Sequence, residues 1–251
     1  MGKEKKIRLI LAYDGSRYHG WQRQKNALTI QEVLEKGLHK MTGAPLSLIA
    51  SGRTDAGVHA LHQVCHFLTH SEIAPEAFRR GLNSLLRPDI FVKSADLVPM
   101  DFHARYTARS KTYEYRILNR REPDVFQRLY SWHLPVALRL GEMRKSLELL
   151  LGRHDFTSFK SAGSGNINPI REILRAEIHG FEGGLLHFVF EADGFLRHMV
   201  RNIVGTLVYV GLGKLDAEKF AQILEMKDRR LAGIKAPAQG LFLKMVQYDP
   251  V

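Results

Sequence analysis

The pattern of apolar and polar positions divides the first half of the chain into strands and helices. Residues 5–13 place Ile7, Leu9, Leu11 and Tyr13 at alternate positions on one face, and this period of two predicts a strand. Thr29 and Glu32 form a capping box ahead of apolar residues at helical spacing, which predicts a helix that ends near Met41. The same criteria predict the remaining elements of this half, which are strands at residues 46–50, 63–68 and 90–97 and a helix that Pro75 opens and Arg87-Pro88 stops.

The second half of the chain repeats this plan loosely. Its strands are predicted at residues 112–117, 171–179, 185–191 and 241–248, and its helices at residues 143–151, 196–208 and 216–226. Residues 160–168, rich in Ser, Gly and Asn, are predicted to form a flexible loop and not a domain linker, because strands continue beyond them. Two similar split β-α-β halves therefore predict an α+β fold, with an N-terminal half at residues 1–105 and a C-terminal half at residues 106–251.

A run of small residues, ASGRTDAGVHA at positions 50–60, separates two predicted strands of the first half. Gly52 and Gly57 permit positive φ and close approach of another backbone, so Asp55 is expected in a tight loop that can aim its carboxylate into a cleft. Aspartate beside glycine is also ordinary turn chemistry, because its side chain bonds its own backbone. The length of the run exceeds what a turn needs, and it favours a functional loop around Asp55.

Charge is the strongest signal in the composition. The 251 residues hold 37 Lys and Arg against 26 Asp and Glu, a formal net charge of +11 with an isoelectric point near 9.8. This excess indicates a partner rich in phosphate, and nucleic acid is favoured over a membrane surface because the sequence shows no basic amphipathic helix with an aromatic face. Tyr18, His19 and Trp21 alternate with cations in residues 17–25, which suits stacking on bases, although Tyr18 and Trp21 can also plug the end of a core.

Cysteine content and hydropathy bear on the compartment. Cys65 is the single cysteine, so no disulfide can form within the chain, and a reducing compartment is expected. No apolar stretch reaches the roughly 20 residues that span a bilayer, and residues 1–6 lead into a strand and not into the apolar core of a signal peptide. The sequence therefore predicts a cytoplasmic protein that does not associate with membranes.

The positions of the carboxylates in the sequence limit the classes of reaction that the protein can catalyse. Asp55 is the one carboxylate in a loop of this kind, so a hydrolase with paired carboxylates has little support. The sequence contains neither a phosphate-binding loop nor a dinucleotide glycine pattern followed by an acidic residue. A lone aspartate can act as a covalent nucleophile or as a base, provided that cations hold it ionised.

The loop GRTDAGVHA at residues 52–60 resembles the signature of the tRNA pseudouridine synthase A family. Further blocks resemble the family and lie in its order, namely YDG at 13–15, YHGWQ at 18–22, FHAR at 102–105, KTYEY at 111–115, HDF at 154–156, HMVRNIVG at 198–205 and APAQGL at 236–241. The resemblance implies the pseudouridine synthase fold, in which two halves share a central antiparallel sheet and a basic cleft. It also implies isomerisation of uridine to pseudouridine in the anticodon stem-loop of tRNA, without a cofactor or metal, by a homodimer.

The resemblance assigns roles residue by residue. Asp55 corresponds to the family's nucleophile or base, and Tyr113 to the tyrosine that stacks on the target base. Arg201 corresponds to the arginine that pairs with this aspartate, and Leu241 to an apolar residue of the base pocket. Arg53 can fill the space left by a base that swings out of its stack. For Tyr113, a strand aromatic that faces the core is the structural alternative.

Arg197 competes with Arg201 for the same role. The two lie four residues apart on the helix predicted over residues 196–208, so they are expected to share one edge of it. Either arginine can then pair with Asp55, and the sequence does not decide between them.

Two other functions fit parts of the sequence. His59, His62 and His66 would face one way on a helix and could bind zinc with Asp55, as in a metal-dependent hydrolase. Their segment is predicted as a strand, however, where residues three apart point to opposite faces, so no metal site is expected. A non-catalytic RNA-binding module with paired α+β halves would explain the charge, but it leaves the loop around Asp55 without a purpose.

Overall fold

The structure, a computed structural model, describes residues 3–161 and 168–249 of the chain, which divides into two units. Unit 1 comprises Met1–Arg109 and Phe242–Val251, and unit 2 comprises Ser110–Leu241. The last strand thus groups with the N-terminal segment, whereas the sequence prediction divides the chain once, at residue 105. Within the predicted loop at residues 160–168, residues 162–167 lie outside the described residues.

Strands and helices are distributed along the whole described chain. The strands are β1 (Lys5–Tyr13), β2 (Ile49–Ala50), β3 (His59–Thr69), β4 (Ile90–Val98), β5 (Ala108–Leu118), β6 (Trp132–His133), β7 (Gly152–Asp155), β8 (Ile170–Phe181), β9 (Leu185–Ala192) and β10 (Leu241–Tyr248). The helices are α1 (Ile30–Thr42), α2 (Pro75–Leu85), α3 (Leu140–Glu148), α4 (Met199–Gly211) and α5 (Ala217–Met226). Among the described residues, none of the helices has the length and apolar character to span a membrane.

The sheet of unit 1 is built around β1, which pairs antiparallel with β3 on one side and with β4 on the other. β3 also pairs antiparallel with the short β2, and in parallel with β10 through His59 and Phe242. Ile7 of β1 lies opposite Phe67 of β3, and the Phe67 ring meets the ring of Phe78 in α2 edge-on, with 5.3 Å between centroids. All three side chains are buried, so this face of the sheet holds the core of unit 1.

The two helices of unit 1 begin where the sequence predicts. Thr29 caps α1, since its Oγ1 accepts a hydrogen bond from Glu32 N over 3.4 Å. Pro75 is the first residue of α2, where its missing N–H leaves no backbone partner unsatisfied. α2 ends at Leu85, three residues before Pro88.

The strand predicted at residues 46–50 is mostly wrong, because only β2 remains of it. Side chains of α1 occupy the backbone groups just before β2. Glu35 Oε1 accepts from Leu48 N over 3.0 Å, and Gln31 Nε2 donates to Leu48 O over 3.2 Å. A backbone whose hydrogen bonds are taken by side chains cannot join a sheet, so the strand begins only at Ile49.

The sheet of unit 2 runs in the order β5, β9, β8, β7, with each strand antiparallel to the next, and β6 pairs in parallel with the end of β5. Tyr115 of β5 lies opposite Phe188 of β9, and both side chains are fully buried. Leu207 of α4 and Phe220 of α5 are equally buried, so helices and sheet share one core. Antiparallel strands with separate helices in each unit confirm the predicted α+β class.

Candidate active site

Asp55 lies in the loop between β2 and β3, in unit 1. Its side chain is half-buried, whereas that of Arg53 is exposed. Val58 N donates to Asp55 O over 3.1 Å, which closes a tight turn. Gly57 has a φ of +76° within this turn, a conformation that favours glycine. The predicted tight loop around Asp55 is therefore confirmed.

Residues 18–22 pack directly against the loop. Trp21 N donates to Thr54 O over 3.0 Å, so the backbone just before Asp55 is held from outside the loop. Gly20 makes this approach possible, because a Cβ atom there would lie 2.5 Å from Thr54 O and 3.0 Å from Asp55 C. Gly20 also has a φ of +86°, so both its backbone and its surroundings require glycine.

The aromatic side chains of the same segment belong to the core of unit 1. Tyr18 is 3% exposed and Trp21 is 1% exposed, so neither ring is accessible to a base. Tyr18 OH donates to Asp89 Oδ1 over 2.6 Å, and Tyr18 O accepts from Gly57 N over 3.2 Å. Of the two predicted roles for these rings, the structure supports the plug at the end of a core.

A network of buried polar side chains lies beneath the loop. Tyr13 OH is 2.8 Å from Thr54 Oγ1 and accepts a longer hydrogen bond, of 3.4 Å, from Gln63 Nε2. Gln63 Nε2 also donates to Gly52 O over 3.0 Å, and Gln63 Oε1 accepts from Ser51 Oγ over 2.7 Å. Burial raises the pKa of Tyr13 to about 12, so its hydroxyl remains protonated near neutral pH.

Two of the three histidines considered as metal ligands, His59 and His66, have separate surroundings. His59 Nδ1 accepts from Gly15 N over 3.1 Å, and its ring stacks on that of Phe242 at 4.6 Å. His66 Nδ1 accepts from Ala104 N over 3.2 Å, and burial lowers the pKa of His66 to about 4, which leaves the ring neutral. Within residues 3–161 and 168–249, no three His, Cys, Asp or Glu side chains come together to hold a metal ion.

Tyr113 lies on β5 in unit 2, opposite Phe190 of β9. Its side chain is 8% exposed, and its ring meets the Phe195 ring nearly perpendicularly, with 5.1 Å between centroids. Tyr113 shares its sheet face with the buried Tyr115, two residues along the strand. The ring is therefore packed against Phe195, and only a small fraction of the residue is exposed.

The shared helical edge predicted for Arg197 and Arg201 is wrong. α4 begins at Met199, because His198 adopts a left-handed conformation with φ +62° and ends the preceding segment. Arg197 lies before the helix with an exposed side chain, and its carbonyl accepts from Ser161 N over 3.1 Å. Arg201 lies in the first turn of α4 and is 8% exposed. The two arginines thus differ in both position and burial.

Residues 236–241 pack against α4 and β5 within unit 2. Arg201 Nε donates to Ala236 O over 2.8 Å, and Tyr115 OH donates to Pro237 O, also over 2.8 Å. Gly240 lies so close to β5 that a Cβ atom there would be 2.7 Å from the Tyr115 ring. Leu241 follows and is buried. The structure therefore links Arg201 to the segment that ends in Leu241.

The six predicted site residues fall in two groups. Asp55 and Arg53 belong to unit 1, and the other four belong to unit 2, namely Tyr113, Arg197, Arg201 and Leu241. The sequence patterns do not indicate the network of Tyr13 and Gln63, because Tyr13 belongs to a predicted strand and to the block YDG, and Gln63 belongs to a predicted strand. Gln63 lies opposite Leu11, on the core face of β3, and a polar residue at a position expected to be aliphatic is a signal that can identify such a network.

The chain is similar to known proteins over nearly its whole length. A family model described as tRNA pseudouridine synthase matches residues 9–107 and 147–249. A protein named tRNA pseudouridine synthase A from Thermoanaerobacter sp. (strain X514) is 47% identical over 242 residues, covering 96% of this chain and 99% of the relative. Proteins of the same name from Ruminiclostridium cellulolyticum and Syntrophotalea carbinolica are 43% and 45% identical over 244 residues, covering 97% of this chain and 100% and 96% of the relatives.

Proposed function

This chain belongs to the tRNA pseudouridine synthase family, and from this premise we propose that it isomerises uridine to pseudouridine in the anticodon stem-loop of tRNA. The observation that carries the proposal is the match over nearly the full length of relatives named for this activity. In the reaction the bond between N1 and C1′ breaks, the uracil turns, and C5 bonds to C1′. C5 loses a proton and N1 gains one, so the reaction is redox-neutral.

Asp55 is assigned the part of nucleophile or base. The assignment rests on the match of residues 52–60 to the family signature, and the backbone around Asp55 supports it. Thr54 O and Gly57 N are both bonded to residues 18–21, so the loop is held on either side of the carboxylate. A reactive group on a fixed backbone loses little conformational entropy when it reaches the reacting atom.

The remaining residues are assigned roles in contacting the substrate and in keeping Asp55 ionised. Tyr113 stacks on the target base, and Leu241 contributes an apolar contact to it. Arg201, buried and oriented by Ala236 O, supplies the cation that pairs with Asp55. Residues 1–105 thus carry the catalytic loop, and residues 106–251 complete the active site.

The two exposed arginines of the predicted site have auxiliary parts in this proposal. Arg53 follows Gly52 and precedes Thr54, and its exposed side chain can fill the space that a flipped base leaves. Arg197 is exposed ahead of α4 and adds positive charge for the RNA backbone.

The net charge of +11 supports tRNA as the partner, because Lys and Arg side chains neutralise phosphates and release counterions. On family resemblance we further propose a homodimer that works in the cytoplasm and needs neither a cofactor nor a metal. Sedimentation equilibrium tests the dimer directly, and a mass equal to a single chain at micromolar concentration would contradict it.

Release of tritium from tRNA labelled at C5 of uridine tests the activity. The wild type is expected to release tritium, because C5 loses its hydrogen when it bonds to C1′. A non-catalytic RNA-binding module would bind the same tRNA and release none, which separates the two functions. Mapping pseudouridine in the treated tRNA then shows whether the modified uridines lie in the anticodon stem-loop.

A further inference from the structure

We propose that Tyr13, Gln63 and Thr54 are positioning residues for Asp55, a role that rests on the proposed function of that carboxylate. None of the three contacts the substrate in this proposal. They act through the backbone of the loop, which their hydrogen bonds hold from the side of the core. The consequence is that loss of one hydroxyl at the base of the loop slows the isomerisation without weakening tRNA binding.

The hydrogen bonds of Gln63 fix the orientation of its amide. Oε1 accepts from Ser51 Oγ over 2.7 Å and from Val64 N over 3.2 Å, while Nε2 donates to Gly52 O over 3.0 Å. A reversed amide would place two oxygens against each other at Gly52, so this assignment is determined by the network itself. The second proton of Nε2 is directed at Tyr13 OH.

The next hydrogen bond joins the two hydroxyls of the network. Tyr13 OH accepts from Gln63 Nε2 and lies 2.8 Å from Thr54 Oγ1, a bond in which either hydroxyl can donate. The raised pKa of Tyr13, about 12, keeps its hydroxyl protonated near neutral pH. The chain of bonds from Gln63 to Thr54 is therefore continuous, and removal of either hydroxyl breaks it.

The network holds the loop at the two residues that flank Arg53. Gly52 is held through its carbonyl by Gln63, and Thr54 is held through its hydroxyl by Tyr13. Thr54 O is bonded on its other side by Trp21 N. Thr54 is therefore restrained by its side chain and by its backbone, and Asp55 is the next residue along the chain.

Stability alone does not account for this arrangement. Ser51, Gln63, Tyr13 and Thr54 are all more than nine-tenths buried, where polar groups bring no net gain over well-packed apolar groups of the same shape. A satisfied polar network instead selects one geometry out of several, because any other arrangement leaves a buried group without a partner. Selection of a single backbone geometry is what a catalytic loop requires.

The test compares Tyr13→Phe and Thr54→Val with Tyr248→Phe as the matched control. Tyr248 belongs to unit 1, and its hydroxyl donates to Ala104 O over 2.6 Å, at the end of β10 away from His59. The control thus loses a tyrosine hydroxyl with one hydrogen bond, far from the loop. Single-turnover tritium release gives the rate, filter binding gives the Kd for tRNA, and thermal melting gives the stability.

Tyr13→Phe and Thr54→Val are expected to slow tritium release by about 10- to 100-fold, the effect of displacing a reacting group by up to 1 Å, with a Kd within about twofold of wild type. Thr54→Ser keeps the hydroxyl and is expected to stay within about threefold of the wild-type rate. Combined, Tyr13→Phe and Thr54→Val should be no slower than the slower single variant, because both break the same bond.

Three results overturn the inference. They are rates equal to that of Tyr248→Phe, a loss that lies in the Kd and not in the rate, and a Thr54→Ser variant as slow as Thr54→Val. If neither Tyr13→Phe nor Thr54→Val folds, the network is a requirement of the fold and the positioning role is refuted as well. A wild type that releases no tritium refutes the proposed function itself. An active wild type with an equally active Tyr13→Phe refutes only the positioning role.

Discussion

Arg201 and Ala236 hold each other by two hydrogen bonds. Arg201 Nε donates to Ala236 O over 2.8 Å, and Ala236 N donates to Arg201 O over 3.0 Å. The side chain and the main chain of one helical residue are thus fixed on a single residue of the segment 236–241. An arginine that is held at Nε keeps its planar guanidinium in one orientation, which a lysine ammonium cannot do.

Replacing this arginine by methionine removes the cation and keeps a stem of similar length. We expect Arg201→Met to slow tritium release by about 100-fold or more, as loss of an electrostatic partner at a reacting group does. Arg197→Met is expected to cost less than about tenfold, because an exposed cation ahead of α4 is screened by solvent. A greater loss for Arg197→Met would transfer the role to Arg197.

Asp55→Asn keeps the shape of the side chain and removes both its charge and its basicity. The variant is expected to release tritium at less than about 1% of the wild-type rate, while its Kd for tRNA changes by no more than about threefold. Rates come from single turnovers with labelled tRNA. Activity well above that limit would show that another residue reacts with the uridine.

Alanine substitutions at Gly20 and Gly43 distinguish the cost of backbone strain from the cost of steric contact. Both have positive φ, +86° and +72°, but a Cβ atom at Gly43 meets nothing within 4 Å, whereas one at Gly20 lies 2.5 Å from Thr54 O. Gly43→Ala is expected to lower the free energy of unfolding by about 1 kcal/mol. Gly20→Ala should cost about 1–3 kcal/mol more, because backbone must move.

Urea unfolding measures both variants, and tritium release adds a second test of Gly20→Ala. The displaced Thr54 carries Asp55 with it, so a slowed reaction is expected in the folded variant, while Gly43→Ala should keep the wild-type rate. Equal losses of stability in the two variants would show that the backbone of the loop moves away from segment 18–22 at little cost in free energy.

The excess of cations predicts a steep fall of tRNA affinity with salt. Lys25 and Arg17 are exposed, and reversal of either charge should flatten the plot of log K against log salt by about one unit if it contacts a phosphate. Arg79→Glu serves as the comparison, because Arg79 is engaged by Glu76 through two hydrogen bonds and should change the slope less. Unchanged slopes for Lys25 and Arg17 would place the RNA on another face.

His66 makes the stability of unit 1 sensitive to acid. Burial, and the positive charges of His103 and Lys6, lower its pKa from 6.5 to about 4, so between these values the unfolded chain binds a proton that the folded chain does not. The free energy of unfolding is therefore expected to fall as the pH falls from 6.5 towards 4.

His66→Asn keeps an acceptor for Ala104 N and removes the titrating ring. Its free energy of unfolding, measured in urea at several values of pH, should fall less steeply on acidification than that of the wild type. The exposed His70 provides the control, because His70→Asn removes a histidine from unit 1 without changing a buried group. Identical pH curves for all three proteins would assign the acid sensitivity to other residues.

Local patterns predicted the elements whose causes are local. The alternation of β1, the cap at Thr29 and the proline at the start of α2 each depend on residues that are near one another in sequence. The signature run at residues 52–60 likewise identified the loop around Asp55, since its small residues suffice to mark it.

The remaining differences arise from contacts between distant residues. Side chains of α1 bond the backbone just before β2, so this strand is shorter than predicted. The left-handed conformation of His198 places the start of α4 after Arg197. Tyr13 and Gln63 lie 50 positions apart, so no local window contains their hydrogen bond. Long-range hydrogen bonds of this kind can override propensity without leaving a periodic signal in the sequence.

The pairing of β3 with β10 sets an order of events during protein synthesis. The ribosome makes β3 and the Asp55 loop early, makes all of unit 2 next, and makes β10 only afterwards. Until then the start of β3 has an open edge, and His59 lacks the Phe242 ring on which it stacks. A nascent chain that has already completed unit 2 therefore still lacks the strand that pairs beside the Asp55 loop, and premature termination before residue 242 leaves that strand edge open to aggregation.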